Sequence, residues 1–288
     1  MKLRFMKYRK LSYVISVVCM VIAIASIFVK GFNYGIDFSG GILMEFKPNS
    51  TEYTVDKIRH DLAEFKPEIQ SEKGTDAVLL RVGLPKGVTD EQQQERMGQI
   101  QKILGDRVTF LKQEVVGPKI GGELIRGGIW SILVSFIMMS IYIWIRYRGG
   151  YAVGSFVSLV FDLVLMFGFF SLTGLEFNQT AIAVILMGVG YSVNDKVVNY
   201  DRIDENIKKY HKMPMSDVID LSVNEMLYRT IMTSVSTILA MVGIYLFGGQ
   251  MLRDFAIAMT FSIISGTLTS IYISNVILYH FNLRETDY

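Results

Sequence analysis

Several residue types that commonly stabilise small folds or hold metal ions are scarce in this sequence of 288 residues. Its single cysteine is Cys19, so one chain cannot form an internal disulfide bond. Its three histidines, His60, His211 and His280, are far apart and lack the spacing of a metal site. The polar part of the chain also lacks a glycine-rich phosphate loop. We therefore expect neither a metal ion nor a cofactor.

Charged residues are scarce as well, because they make up 19% of the chain against roughly 25% in soluble globular domains. The net charge of +2 is too small to indicate a nucleic-acid partner. The deficit is concentrated in long apolar runs, and a bilayer core of about 30 Å needs about 20 helical residues to cross it. Six runs meet that length: Leu11–Val29, Gly127–Ile145, Tyr151–Leu172, Phe177–Val198, Thr230–Phe247 and Phe255–Tyr279. The sequence therefore predicts a polytopic α-helical membrane protein with six transmembrane helices.

The first apolar run follows a basic segment and so has the general appearance of a signal peptide. The run is too long for the apolar region of such a peptide, and no A-x-A-like cleavage site follows, which favours an uncleaved anchor. Basic residues mark the cytoplasmic side, and they are concentrated before the first run, in Arg146–Arg148 and in Arg202–Lys212. We therefore expect both termini in the cytoplasm.

The polar stretch between the first two runs has its own pattern of strands and helices. Apolar residues recur at helical spacing from Val55 to Phe65, whereas Ala77–Leu80 is typical of a strand. The predicted elements, in βαββαβ order, are Ile42–Lys47, Thr54–Phe65, Glu68–Glu72, Ala77–Gly83, Thr89–Leu104 and Arg107–Val116. This order is typical of a ferredoxin-like α+β domain.

We accordingly divide the chain into three parts. Residues 1–30 form the cytoplasmic amino terminus and the first transmembrane helix, and residues 31–125 form the ferredoxin-like domain on the outer side. Residues 126–288 form a five-helix transmembrane bundle, with a cytoplasmic helix over residues 199–228 and a cytoplasmic carboxyl terminus.

Two ionisable side chains stand where the bilayer makes charge expensive. Asp195 lies in the fourth apolar run and Arg229 opens the fifth. Each such group costs on the order of 2.5–3.5 kcal/mol on insertion scales and usually marks an ion or proton pathway. The two runs cross in opposite directions, so we expect both side chains at a similar depth, with Asp195 changing protonation as the bundle rearranges. The alternatives are a fixed salt bridge and an Arg229 that extends to the interface.

A third ionisable residue, Asp162, lies near the middle of the third run. It must face the bundle interior or a hydrated cavity. Asp162 either belongs to the same polar path as Asp195 or is a buried carboxylate held by hydroxyls such as those of Ser158 or Thr173.

Three segments resemble the SecD/SecF family of bacterial protein-export membrane proteins: NYGIDFSGGILMEF at Asn33–Phe46, VGPKIGGEL at Val116–Leu124 and GYSVNDKVVNYDRIDENIKK at Gly190–Lys209. The signature positions are Gly35, Asp37, Phe38, Gly40, Gly41, Gly117, Pro118, Gly190 and Asn194. Six runs with one modest outer domain are similar to the SecF branch, since SecD members carry a much larger outer domain. The glycines of the first segment favour a rigid joint between the first span and the outer domain, because glycine permits positive φ and close backbone approach.

The resemblance implies a six-span, RND-like transport subunit of the inner (plasma) membrane, with residues 31–125 in the periplasm and no catalytic site. It implies a heterodimer with SecD, association with the SecYEG translocon, and contact with YajC, SecA-driven preproteins and membrane lipid. It also implies that the proton-motive force assists translocation and release of secreted proteins, with Asp195, Arg229 and Asp162 along the proton pathway.

Two residues near Asp195 depart from the family pattern. Lys196 stands where a small or hydroxylated residue is expected, and Asn199 occupies a position that is commonly apolar. Lys196 adds a cation beside the proposed proton site. We therefore expect electrostatics particular to this chain.

Other functions fit parts of the sequence. A non-conducting scaffold for SecD needs the same fold without proton exchange, and a proton-coupled RND-type exporter would need a large substrate-binding outer domain and a second six-span half. An intramembrane protease using Asp162 and Asp195 is disfavoured, because the G-x-G-D pattern is absent. Sodium would need several oxygen ligands, which three side chains could supply: Tyr191, Ser192 and Asn194.

Overall fold

A computed structural model describes residues 3–50, 53–71, 77–83, 89–147, 149–248 and 250–281. The chain divides into two compact units. One unit runs up to Asn33 and resumes at Ser131, and the other spans Tyr34–Trp130, against the 31–125 expected from the sequence.

The first unit is helical throughout its regular structure. After a 3₁₀ turn at Phe5–Tyr8 its helices are α1 (Arg9–Lys30), the second half of α5 (Pro118–Arg146), α6 (Gly150–Thr173), α7 (Gln179–Lys209), α8 (Met215–Phe247), α9 (Gln250–Thr269), a π-helical turn (Ser270–Ser274) and α10 (Asn275–Leu278). Over the described residues, six helical segments are long and apolar enough to cross a membrane. The predicted class of six-span α-helical membrane protein is confirmed.

The six spans differ in how much of their surface the unit buries. About half of the apolar window is buried in α6, α7 and the α9–α10 segment, but only 11% in α1, α5 and α8. The first group is therefore the packed centre of the unit. Several polar side chains of these helices are buried, and Asp162 is among them, as its expected interior position requires.

The single cytoplasmic helix expected over residues 199–228 is not what the structure has. Helix α7 continues to Lys209, a turn follows, and α8 starts at Met215 and continues into the next span. Pro214 caps the start of α8 with an extended backbone. Proline has no N–H to donate and disfavours helix in the preceding residue, so the helical pattern breaks here although the polar composition continues.

Helices α1 and α6 cross at very short range. An ideal Cβ on Gly168 would lie 2.3 Å from the Cβ of Ala23, so only glycine fits at this crossing. Beyond it, Ser26 Oγ donates to Ser171 Oγ at 2.7 Å. Small residues at a contact allow helices in a membrane to approach closely, and the hydroxyl pair adds an interhelical hydrogen bond.

The second unit carries a four-stranded antiparallel sheet with strand order β2-β3-β1-β4. Its elements are the short helix α2 (Ile36–Ser39), β1 (Gly41–Pro48), α3 (Val55–Asp61), β2 (Glu68–Ser71), β3 (Val78–Gly83), α4 (Asp90–Leu104) and β4 (Val108–Val116). The βαββαβ order of the predicted ferredoxin-like domain is confirmed. Ile42, Met44 and Phe46 alternate along β1 and are fully buried, as period-two patterning requires.

Candidate functional site

The carboxylate of Asp162, in the middle of α6, is buried and accepts hydrogen bonds from three side chains. Ser192 Oγ on α7 donates to its Oδ2 at 2.6 Å, and Lys196 Nζ on the same helix forms an ion pair with that oxygen at 2.8 Å. Thr269 Oγ1 on α9 donates to the other oxygen at 2.5 Å. The carboxylate therefore joins three helices through charge-assisted hydrogen bonds, which are the stronger class.

The partners of Asp162 differ from those considered from the sequence. Ser158 Oγ makes no hydrogen bond to any described residue, and Thr173 Oγ1 donates to the carbonyl of Phe169 at 2.7 Å. Lys196, expected to stand beside Asp195, points instead to Asp162. Successive helical side chains diverge by about 100°, so neighbours in sequence face different helices.

Lys196 is completely buried. Its ammonium group also contacts Ser192 Oγ, so Lys196, Ser192 and Asp162 form a closed triangle of polar contacts. A buried charge is stable only when it is paired and hydrogen-bonded. The charge of Lys196 is thus compensated by a carboxylate on a different span.

Asp195 has a different environment, on the side of α7 that faces α8 and α9. Thr267 Oγ1 donates to Asp195 Oδ2 at 3.4 Å, a long hydrogen bond. Thr267 also shares a hydrogen bond with Ser234 at 2.9 Å, and Tyr191 donates to Ser234 at 3.4 Å. Asp195 is 6% exposed but has far fewer partners than Asp162.

Arg229 does not pair with Asp195 in this structure. Within the described residues no ion pair joins the two side chains, and Arg229 is exposed on the surface of α8. A long basic side chain lowers its energy by placing its charged end outside the apolar interior. A direct contact between the two charges is therefore absent among the described residues, whereas the interior position of Asp195 agrees with the expectation.

Helix α9 supplies a face of small and polar residues against α7. An ideal Cβ on Gly188 would overlap Ser262 Oγ, and one on Gly266 would lie 3.1 Å from Ser192 Cβ. Ser270, which opens the π-helical turn, donates to the carbonyls of Gly266 at 2.7 Å and Ser192 at 3.3 Å. Turns of π-helix inside α-helices are frequent at functional sites, and this one adjoins the Asp162 cluster.

Two family descriptions match this sequence. "Protein export membrane protein SecD/SecF, C-terminal" matches residues 97–284, and "SecD/SecF GG Motif" matches residues 25–52. The chain belongs to the SecD/SecF family of protein export membrane proteins.

Curated relatives named "Protein translocase subunit SecF" match nearly the whole chain. The protein of Rickettsia conorii is 37% identical over 296 residues, covering 98% of this chain and 92% of the relative. That of Rickettsia rickettsii is 38% identical with the same coverage. That of Rickettsia bellii is 38% identical over 281 residues, covering 95% of this chain and 91% of the relative.

Solved structures of SecDF are similar in fold. The crystal structure of SecDF from Thermus thermophilus, titled a translocon-associated membrane protein, aligns with a TM-score of 0.82 at 32% identity. The alignment covers 96% of this chain and 38% of the solved one. A super-membrane-facing form of SecDF aligns with a TM-score of 0.73 at 32% identity and covers 99% and 39%. This chain thus spans less than half of the SecDF chains that it matches.

The SecD/SecF signature glycines have distinct structural tasks. Gly40 ends α2 with a φ of 70°, and an ideal Cβ on Gly41 would lie 2.8 Å from the Val82 carbonyl oxygen of β3. An ideal Cβ on Gly121, in the first turn of α5, would lie 2.8 Å from the Phe38 carbonyl oxygen. Gly35 has a φ of −68°, so its conformation does not require glycine. Close backbone packing thus explains Gly41, and a positive φ explains Gly40.

The remaining signature positions lie apart from the buried carboxylates. Gly117 immediately precedes α5, and Pro118 occupies the first helical position, where proline is favoured. Asn194 is exposed on α7, and an ideal Cβ on Gly190 would have no neighbour within 4 Å. Neither contacts the Asp162 cluster.

A second polar network lies where α7 and α8 extend beyond the apolar core. Asp201 accepts hydrogen bonds from Arg146 Nη2 and Tyr147 Oη, both at 2.7 Å. Burial, followed by this hydrogen bond to Asp201, raises the pKa of the Tyr147 phenol. Arg202 donates to Glu225 of α8 at 2.7 Å. These contacts join α5, α7 and α8 at one end.

Sequence reasoning missed the threonines that face the two aspartates. Thr267 and Thr269 belong to a sixth span in which hydroxyl residues recur: Ser262, Ser265, Thr267, Thr269, Ser270 and Ser274. This density of hydroxyls in an otherwise apolar run was the available signal. It could have identified α9 as a polar partner, because hydroxyls in membrane helices commonly bond across helices.

Proposed function

We propose that this chain is the SecF subunit of the Sec translocase accessory complex, which works with SecD to assist translocation and release of secreted proteins. Membership of the SecD/SecF family and relatives named translocase subunits support this role. The similarity to part of SecDF supports SecD as the partner that supplies the matching half. Association with SecYEG, YajC and SecA-driven preproteins belongs to the same proposal.

The proposed energy source is the proton-motive force, and Asp195 is the proposed proton-exchange site. The observation that carries this choice is the contrast between the two buried aspartates. Asp162 is neutralised by Lys196 and bonded by two hydroxyls, whereas Asp195 has one long hydrogen bond from Thr267 and no ion pair among the described residues. A carboxylate with so little compensation is the one that gains most from binding a proton.

Protonation of Asp195 would remove the charge that the Thr267 hydroxyl stabilises and so change the packing of α7 against α9. A gradient of about 200 mV supplies roughly 4–5 kcal/mol per proton, at about 2.3 kcal/mol per charge per 100 mV. Moving a two-state equilibrium from 1:99 to 99:1 takes about 5.5 kcal/mol. One proton per cycle is therefore nearly sufficient. Arg229, outside the contact in this state, is the proposed counter-charge in another state.

Protons fit the site better than sodium ions do. The three residues considered as sodium ligands diverge, because Tyr191 bonds to Ser234, Ser192 bonds to Asp162 and Asn194 is exposed. A hard cation requires several convergent oxygens, which this arrangement does not offer.

The test is the export rate of a secreted substrate in cells whose only copy of the gene encodes Asp195→Asn. We expect export to fall to the level of a deletion while immunoblotting shows normal accumulation with SecD. Asp204→Asn is the matched control, since Asp204 lies on the same helix in a surface ion pair with Lys208. Wild-type export with Asp195→Asn would refute proton exchange at this site and favour a non-conducting scaffold for SecD.

A further inference from the structure

Three buried polar atoms, two on α6 and one on α7, have no hydrogen-bond partner in the part of the chain that the structure describes. They are Ser155 Oγ, Ser158 Oγ and Asn199 Oδ1, and none of them hydrogen-bonds to any described residue. The two serines are 0% exposed and Asn199 is 6% exposed. More than nine in ten buried polar groups have a partner in protein or ordered water, so three such atoms on two packed helices point to ordered water.

The packing register of the two helices brings these atoms to matching levels. Asp162 of α6 contacts Ser192 of α7, and an ideal Cβ on Gly154 would lie 3.2 Å from Tyr200 Oη. A step of eight residues from Asp162 back to Gly154 on α6 thus matches a step of eight residues from Ser192 forward to Tyr200 on α7, as expected for antiparallel helices. Between these contacts the same register places Ser158 level with Lys196.

The same register places Ser155 level with Asn199. The α6 positions 155, 158 and 162 have the i, i+3, i+7 spacing of one helical face, and the α7 positions 192, 196 and 199 have the equivalent i, i+4, i+7 spacing. The unpartnered atoms therefore continue the column of polar groups that begins at the Asp162–Lys196 pair. This column runs toward the end of the bundle predicted to be cytoplasmic.

The column continues beyond Asn199 with further buried polar groups. Ser274 Oγ donates to Tyr200 Oη at 2.8 Å, and both residues are nearly inaccessible. Asn275, the next residue along, uses its amide nitrogen to bond the Ile271 carbonyl at 2.8 Å, whereas its Oδ1 has no partner among the described residues. A fourth buried acceptor without a partner in the described part of the chain thus lies on a third helix.

We propose that ordered water binds between α6 and α7 at Ser155, Ser158 and Asn199 and links the Asp162–Lys196 pair to the predicted cytoplasmic end. A buried water molecule typically makes about three hydrogen bonds to otherwise unsatisfied groups, and facing hydroxyl and amide oxygens supply them. On the α7 side, the buried Oδ1 of Asn199 is the acceptor available to this water. The use of this water for proton transfer rests on the proposed function; the binding site does not.

Radiolytic hydroxyl-radical footprinting of the full chain, purified with SecD in lipid nanodiscs, tests the site directly. Radicals formed from bound water oxidise adjacent side chains that bulk solvent does not reach. Tyr200 is the reporter and Phe170 of α6 is the control, because they are 1% and 2% exposed. We expect Tyr200 to be oxidised several-fold faster than Phe170. Equal slow oxidation of both rings would overturn the proposal.

Variants that remove the unpartnered polar side chains provide a second test of the water site. Ser155→Ala with Asn199→Leu should reduce Tyr200 oxidation several-fold, and Ser158→Ala alone is the milder variant if the double replacement accumulates poorly. At a dry interface, both variants would instead raise the thermal midpoint and leave Tyr200 oxidation unchanged, which contradicts the proposal.

Export measurements separate this inference from the proposed function. With a water path used for coupling, Asn199→Leu reduces export at normal accumulation, as Asp195→Asn does. If Asp195→Asn exports normally while Tyr200 remains strongly oxidised, the proton mechanism fails and the water site stands. If Asp195→Asn abolishes export while Tyr200 stays unoxidised, the water site is refuted and the proton mechanism stands.

Discussion

At the residue scale, the chain contains two buried aspartates that differ in how their charge is compensated. Asp162 has an ion pair and two hydroxyl donors, whereas Asp195 has a single long hydrogen bond. The difference assigns them different work in the proposed cycle. In that cycle Asp162 with Lys196 holds three helices together, and Asp195 is the group proposed to change its charge.

We predict that Lys196→Met alone is strongly destabilising, because it leaves a buried carboxylate without its cation. Removing one partner of a buried pair costs about 3–5 kcal/mol, while replacing both partners is often neutral. Asp162→Asn combined with Lys196→Met should therefore recover most of the lost stability, since the carbonyl oxygen of the new amide would still accept from Ser192 or Thr269. The thermal midpoint of unfolding of the full chain, purified with SecD, measures the loss of stability in the single variant and its recovery in the double variant.

The comparison requires both single variants and the double variant, so that the coupling between the two side chains is obtained directly. A loss in the double variant equal to the sum of the two single losses would show that the two side chains are not coupled, and would contradict the buried ion pair.

At the scale of helices, glycine and serine positions set how closely the spans pack. Helix α1 crosses α6 where Gly168 faces Ala23, and α7 meets α9 at Gly188 and Gly266. Lipid tails are as apolar as the spans, so close packing and interhelical hydrogen bonds provide much of the association energy.

We predict that Gly168→Ala lowers the thermal midpoint although alanine is the better helix former. Its Cβ would lie 2.3 Å from Ala23 Cβ and 2.7 Å from Ala23 Cα, and backbone cannot rotate away. Overpacking of this kind costs about 1–3 kcal/mol. Gly190→Ala is the matched control, because an ideal Cβ there has no neighbour within 4 Å. A midpoint for Gly168→Ala at or above that of Gly190→Ala would contradict the tight crossing.

At the scale of the whole molecule, three spans bury little of their apolar surface. Only 11% of the apolar window of α1, α5 and α8 is buried, against 50–56% for the central spans. Apolar surface of this extent needs lipid or a partner to cover it. A chain that aligns with 38% of SecDF is expected to use part of it against SecD.

We predict that the two ends of the chain and the 210–214 turn lie on one side of the membrane, opposite the ferredoxin-like domain. In a Cys19→Ser background, Lys57→Cys should react with a membrane-impermeant maleimide in intact spheroplasts. Lys212→Cys, also exposed, should react only after the membrane is permeabilised. Labelling in the opposite order would reverse the orientation that the basic residues indicate.

The amino-acid sequence by itself determined the six spans, the βαββαβ order and the family. Each of these depends on local composition, on periodicity or on contiguous motifs, which can be recognised from the sequence without knowledge of tertiary contacts. The helix break at Pro214 also has a local signal, the proline itself. The polar composition on both sides of it nevertheless favoured one continuous helix.

Tertiary structure alone decided which charges meet. Lys196 is adjacent to Asp195 in sequence yet pairs with Asp162, 34 residues away, because the helical turn directs consecutive side chains to different neighbours. Arg229, close to Asp195 in predicted depth, faces outward. Depth along a span can be estimated from a sequence, whereas the direction of a side chain depends on the rotation and register of packed helices.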